Sequence, residues 1–253
     1  MVYGQKSLLG RTMHDIRYDP VNDEVLVPNP FASAILVFRG SANGQEGPVR
    51  VIQGPRTELG NPDRADVDPV HNEIFVPEDG KILVYSRTAN GDAAPIRSIR
   101  GPDTMLDSLQ GMAVDPVHNM LAVARNDEDS QGRPSGAVLI FNRTDSGNVK
   151  PRGVIQGPKS GLGRLNQVQI YAPKGWIVLT ESGPPSEEEP EGVYIGIWHI
   201  GNNGDIPPRW KLTGPKTLMK KPRGVALIPQ YKELIVADMR LNSVLTYSFP
   251  EMF

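Results

Sequence analysis

A few residues in this chain combine a chemically useful side chain with a recurring place in the sequence. Counting back five residues from a repeated turn gives His14, Asp63, Gln110, Gln167 and Arg223. Counting forward from the same turn to the end of the next strand gives Asn29, Glu78, Arg125, Glu181 and Asp238. Every one is polar, as a binding mouth requires, although residues next to loops are commonly polar for solvation alone. His14 is the histidine placed for acid–base work, because imidazole titrates near neutrality. Asp63 is the second catalytic candidate. His71 and His118 fall in outer turns where solvation is expected, and His199 follows a strand beside Trp198. The chain has no Gly-x-Ser-x-Gly elbow, no phosphate loop and no His-Glu-x-x-His motif.

Two charge patterns stand out. Asp15, Arg17, Arg64 and Asp66 occupy inner-strand positions where other copies of the repeat carry Gly or Ala. Juxtaposed copies would set Asp15 against Arg64 and Arg17 against Asp66. The quartet is then either a neutral ion-pair network or a ligand subsite, and confined charges favour pairing. The second pattern is a pair of long polar loops at 126–135 and 182–191, each following a second strand. The latter contains Glu187, Glu188 and Glu189. Such a rim is either a solvated surface or a docking surface for a basic partner.

The elements that carry these residues are marked by a repeated phrase: Asp-Pro-Val-His-Asn occurs at 68–72 and 115–119, with Asp-Pro-Val-Asn-Asp at 19–23. Equivalent turns at Ala172-Pro173 and Ile228-Pro229 complete a series spaced by 47 to 57 residues. A second marker keeps step with it: Gly54-Pro55, Gly101-Pro102, Gly157-Pro158 and Gly214-Pro215. Each repeat carries four short apolar runs separated by turn residues, including the Asn90-Gly91 hairpin signal. Four antiparallel strands at this period read as a β-propeller blade. Five blades are predicted, over about 9–55, 56–102, 103–158, 159–215, and 216–253 plus 1–4, in a single domain. Six are expected if the chain is incomplete. The fifth repeat lacks a fourth strand, and Tyr3 to Arg11 aligns with Gln156 to Arg164. The first residues are therefore expected to supply the outer strand of the last blade and close the ring.

Composition narrows the function classes. Gly (26) and Pro (24) are abundant, which suits short strands and turns. A formal charge of −2 points to neither nucleic acid nor an anionic membrane. The absence of cysteine excludes disulfides, thiol nucleophiles and Cys-bound metals. No apolar run approaches membrane-spanning length. The compartment stays open: cytoplasmic if the chain is complete as it stands, exported if a signal peptide has been removed.

Gly111-Met112-Ala113-Val114-Asp115, Pro222-Arg223-Gly224-Val225-Ala226 and Val236-Ala237-Asp238 followed by Asn242-Ser243-Val244 resemble NHL repeats. The resemblance runs over essentially the whole chain. It implies a propeller and leaves function broad, since the family holds interaction platforms, lyases and lactonase-like enzymes. Repeats one, two and four depart from the pattern, with Asp15 and Arg17, Arg64 and Asp66, and Val168 and Ile170 at its Gly and Ala positions. Lactonase-like propellers imply a divalent cation held by carboxylate and amide oxygens. Asp63, Glu78 and Asp238 are the candidate ligands for Ca²⁺ or another divalent ion. Glu181, Asn29 and Asn166 are further oxygen donors, while Arg125 and Arg223 argue against a metal there.

The favoured reading is a non-enzymatic NHL-like propeller that binds a protein partner or other ligand through the face carrying loops 126–135 and 182–191, alone or within a larger complex. On that reading no cofactor is needed. The alternative is a metal-dependent hydrolase or lyase at the channel mouth, with His14 and Asp63 as its catalytic residues.

Overall fold

The structure is a computed structural model that describes residues 1–11, 13–184 and 186–253. Pro185, within the acidic loop, lies outside the described residues. The chain is all-β, with five antiparallel sheets that are the five blades of a β-propeller. Its helical segments among the described residues are short 3₁₀ turns. It forms two compact units, Met1–Asp107 with Asp145–Val149, and Ser108–Thr144 with Lys150–Phe253.

The first unit holds two blades. Blade one is β1 (Arg17–Asp19), β2 (Glu24–Asn29), β3 (Ala34–Arg39) and β4 (Arg50–Gln53). Blade two is β5 (Asp66–Asp68), β6 (Glu73–Glu78), β7 (Lys81–Ser86) and β8 (Arg97–Arg100). The second unit holds three. Blade three is β9 (Leu109–Asp115), β10 (Met120–Arg125), β11 (Ala137–Asn142) and β12 (Gly153–Ile155). Blade four is β13 (Leu165–Tyr171), β14 (Trp176–Glu181), β15 (Tyr194–His199) and β16 (Trp210–Thr213). Blade five is β17 (Pro222–Ile228), β18 (Glu233–Asp238) and β19 (Ser243–Ser248).

The middle strands read as unbroken apolar runs because both faces of a blade are covered. In the first unit Leu26, Ile35, Val37 and Ile52 of blade one pack against Ala65, Val67, Ile74 and Tyr85 of blade two. In the second, Val178, Ile195 and Ile197 of blade four pack against Val225, Leu234 and Val236 of blade five. β-Branched residues suit these pleated, two-sided positions.

The repeated Asp-Pro turn is held by its own aspartate. Asp19, Asp68 and Asp115 are fully buried. One oxygen of each accepts the backbone N–H groups two and three residues on: Val21 and Asn22 at 3.0 and 3.1 Å, Val70 and His71 at 2.9 and 3.0 Å, Val117 and His118 at 3.0 and 2.9 Å. The other oxygen binds the side chain at the third position, Asn22 at 2.7 Å, His71 at 2.7 Å and His118 at 2.8 Å. His71 and His118 are thus bonded into the turn instead of being simply solvated. Asp23, Asn72 and Asn119 close it in the left-handed region, at φ 51°, 57° and 57°.

The Gly-Pro marker is a second fixed corner. Gly54, Gly101 and Gly157 sit at φ 134°, 131° and 126°, where glycine alone is comfortable. Three residues later a hydroxyl returns to the glycine carbonyl: Thr57 at 2.6 Å, Thr104 at 2.7 Å, Ser160 at 2.6 Å and Thr217 at 2.7 Å. Ser7 does the same to Gly4 at 2.6 Å. The corner then docks on the next hairpin, as where Arg56 N–H donates to Asp92 at 2.7 Å and Lys159 N–H to Asp205 at 2.7 Å.

Within the second unit the β17–β18–β19 sheet has three strands of its own. In the first unit Val2 makes a parallel bridge to Gly44, as the outer-strand residue Ile52 does to Gly91. Met1–Tyr3 therefore stands at an outer-strand position, as its likeness to the segment before Gly157 predicts.

Asp68→Ala removes a buried carboxylate that satisfies three donors. Since bonds to a charged group are each worth about 1.5–3 kcal/mol and are not additive, it should cost about 2–4 kcal/mol in urea unfolding. His71→Ala, which leaves the backbone bonds in place, should cost less than half of that.

Candidate functional site

In the first unit the structure brings His14 and Asp63 together. The imidazole Nδ1 is hydrogen-bonded to the Asp63 carboxylate, and both side chains are substantially exposed, at 54% and 40%. Arg64 donates to the His14 carbonyl at 2.8 Å and lies 3.9 Å from Asp63. Arg17 pairs with Asp66 at 3.4 Å, as the repeat alignment predicts, and also lies 3.7 Å from Asp15. Its Nε donates to the Ala65 carbonyl at 3.1 Å. Arg17 and Asp15 are buried, and mutual pairing is what lets such charges leave water.

The residues at the ends of the second strands share a structural task. Glu78 accepts the Gly60 N–H with both oxygens, at 2.8 and 3.1 Å, and lies 3.4 Å from Lys81. Asn29 donates to the Leu8 carbonyl at 3.0 Å. In the second unit Glu181 accepts from the N–H groups of Gly163, Arg164 and Gly183 at 2.9, 2.8 and 3.2 Å. Asp238 accepts from Lys220 and Lys221 at 2.7 and 2.9 Å, and from Arg240 and Leu241 at 3.0 and 3.1 Å. These carboxylates therefore pin the loop entering the first strand of their blade. Burial pushes the Glu181 carboxyl above the ordinary glutamate value, against the pull of its three N–H donors. Arg125, itself buried, donates to Asp127 at 2.7 Å.

Of the remaining candidates in that unit, Gln167 accepts the Val225 N–H at 2.7 Å, tying blade four to blade five. The Arg223 carbonyl accepts from Thr180 at 3.1 Å. Gln110 lines a polar cavity of about 350 Å³ with Ser108, Asn126, Asp127, Glu128 and Arg164. Asn166, the residue before Gln167, is buried, and its backbone carbonyl stands against Gly111, where a β-carbon would come within 2.8 Å. Among the described residues no group of three or more His, Asp or Glu side chains is arranged to hold a metal ion.

Both long loops are built structures. In loop 126–135 Glu128 bridges Pro134. Asp129 accepts the N–H groups of Gln131 and Arg133 at 2.8 and 3.0 Å and pairs with the Arg133 guanidinium at 2.7 Å. Asn126 anchors the base by exchanging bonds with Leu165 at 2.8 and 3.1 Å. Loop 182–191 is strapped down by a lysine that the sequence reading missed. Lys221, only 2% exposed, donates through Nζ to the carbonyls of Pro184, at 3.2 Å, and Glu187. Glu189 pairs with Lys220 at 3.0 Å and Arg240 at 3.4 Å, and Glu188 with Arg240 at 2.9 Å. A Lys-Lys-Pro before the last blade was the available signal; without coordinates nothing tied it to a loop more than thirty residues upstream.

The repeated blades, with loops projecting from strand ends, define a β-propeller. No family model matches the sequence, and no curated protein matches it. Among solved structures the fold is similar to a chain of the nidogen/laminin complex, with TM-score 0.65 and 15% identity over 94% of this chain and 76% of that one. It is also similar to a chain of the hydrazine synthase of Kuenenia stuttgartiensis, with TM-score 0.62 and 16% identity. That alignment covers 94% of this chain but 64% of the other, so this chain spans less than two thirds of its length. At such identities the likeness is one of fold.

Two outcomes follow for the strap. Lys221→Met keeps the aliphatic stem but loses the ammonium, so cleavage within 182–191 under limited proteolysis should speed up several-fold while the blades stay intact. Lys220 and Arg240 hold the Glu189 carboxyl below its ordinary value. The pairs therefore persist above the ordinary glutamate range and are lost as pH falls through that lowered value. The same cleavage should accelerate there and not between pH 6 and 8.

Proposed function

We propose that the protein is a non-enzymatic scaffold of NHL-like type, binding a protein partner through the end of the second unit that carries loops 126–135 and 182–191. The observation that carries this reading is the internal bracing of both loops. A loop held by Lys221 and one closed by Asp129 and Arg133 are displayed in a set conformation, so a partner meets them without first ordering them. The Glu188 side chain remains 77% exposed despite its arginine, and Asp127 and Glu128 flank the polar cavity beside Gln110. A cationic partner side chain suits both places. The membership of one similar structure in a protein–protein complex agrees with this.

A second reading rests on the His14–Asp63 hydrogen bond. A carboxylate-bound imidazole is a competent general base, and the NHL resemblance includes hydrolases and lyases that use a divalent cation such as Ca²⁺. Turnover of a lactone or peptidyl substrate that His14→Ala abolishes would establish it. A His14→Ala variant as active as the parent would dismiss that role.

For the scaffold, the decisive comparison is partner capture by the parent and by Glu128→Lys/Glu188→Lys. A partner enriched by the parent at low salt should bind the variant at least about tenfold more weakly, a loss of roughly 1.4 kcal/mol. Its capture should also weaken as salt rises. An unchanged affinity for every captured protein would overturn the assignment to these loops.

A further inference from the structure

The cavity of about 350 Å³ at the base of loop 126–135 is lined by Ser108, Gln110, Asn126, Asp127, Glu128 and Arg164. All six belong to the second unit. None has an aliphatic or aromatic side chain, so the cavity offers charge and hydrogen bonds in place of an apolar surface.

Arg164 is the unusual member. Other arginines of the unit are engaged: Arg125 pairs with Asp127 at 2.7 Å, Arg133 with Asp129 at 2.7 Å and Arg240 with Glu188 at 2.9 Å. Arg209 lies 4.7 Å over the Trp210 ring. The half-buried Arg164 guanidinium has no partner among the described residues. Its backbone is nevertheless held on both sides, since its N–H donates to Glu181 at 2.8 Å and its carbonyl accepts from Ser182 at 3.0 Å. A guanidinium partly withdrawn from water presents a rigid fork of donors that matches a carboxylate.

Glu128 is its complement. Its carboxylate also has no partner among the described residues. Its backbone is fixed by the bridge to Pro134 and by the N–H it donates to Asp127 Oδ1 at 2.8 Å. Arg164 and Glu128 therefore line one cavity with opposite charges and do not pair with each other. The neighbouring charge of Asp127 is met by Arg125. Asn126 gives one side-chain N–H and one oxygen lone pair to Leu165 and keeps one of each.

These two charges select among ligands. An anion alone leaves Glu128 unmatched, and a cation alone leaves Arg164 unmatched. A neutral sugar displaces water from both without supplying a counter-charge. A molecule with a carboxylate and a basic nitrogen satisfies both.

We infer that this cavity binds a small zwitterion, with its carboxylate on Arg164 and its ammonium or guanidinium on Glu128. The Asn126 and Gln110 amides supply further hydrogen bonds. A free amino acid carries this chemistry, and so does a chain that ends in lysine or arginine. The site goes beyond the docking role of the loops, since it needs neither loop 182–191 nor a folded partner.

Titrating the isotope-labelled full chain with L-lysine, and with an N-acetylated peptide ending in lysine, tests this. At least one should saturate shifts of the Gln110, Asn126 and Glu128 amide signals, with a dissociation constant below about 10 mM. Arg164→Met should weaken that binding at least about tenfold, because a charge-assisted fork is lost. Glu128→Gln should weaken it as well, and unchanged amide signals elsewhere show that both variants are folded. Lysinamide and the peptide amide, which lack the carboxylate, should bind the parent no better than the acids bind Arg164→Met. Saturation by lysine alone assigns the site to free amino acids, and by the peptide alone to chain ends. Failure of both probes overturns the proposal. So does Arg164→Met binding as tightly as the parent, or glucose or the amides matching the acids. No partner protein is present in these titrations, so their outcome is separate from that of the Glu128→Lys/Glu188→Lys capture.

Discussion

The structure depends on buried carboxylates that accept backbone N–H groups. A blade of short strands has many corners, and each corner leaves donors without a ladder partner. Asp19, Asp68 and Asp115 satisfy those donors at the outer turn. Glu78, Glu181 and Asp238 satisfy them where the chain enters the first strand. Charge-assisted bonds of this kind are about twice as strong as neutral ones. They also fix direction, so a corner held by two or three of them sets the start and the register of the strands it joins. The apolar stacking between blades can then be non-specific in detail, because the corners have already aligned the sheets.

The same constraint explains why so much of the polar sequence is not available for chemistry. A carboxylate that accepts two to four backbone N–H groups has few lone pairs left for a cation or a substrate. Glu181 shows the balance: burial disfavours its charge while three donors favour it. Arg17 and Asp66 show the counterpart in side-chain pairs. Exposed functional groups are instead found at the His14–Asp63 pair and on two loops added to the repeat, the bridged loop 126–135 and the strapped loop 182–191.

Most of the fold is legible in the sequence because repetition multiplies weak signals. One Asp-Pro is a turn preference; the same phrase at a constant period, in step with Gly-Pro, is a blade. The apolar runs of each repeat became its strands, as at Ala34–Arg39 and Lys81–Ser86. The Arg17–Asp66 pair was legible for the same reason, since alignment puts adjacent copies side by side. What was not legible depended on bonds between distant segments. Nothing local marks Lys221 as the strap of loop 182–191, or Glu78 as the acceptor of Gly60. Counting from the turn found the residues at strand ends correctly but could not say whether they face a ligand or a backbone.

Native-state hydrogen exchange tests the central claim most directly. If buried carboxylates lock the corners, the amides of Gly60, Gly163, Lys221, Val70 and Val117 should exchange as slowly as those of the neighbouring strands, opening only with their blade. Exchange at those amides as fast as at an exposed loop tip such as Gly132 would contradict the account and place the stability of the blades in their apolar faces alone.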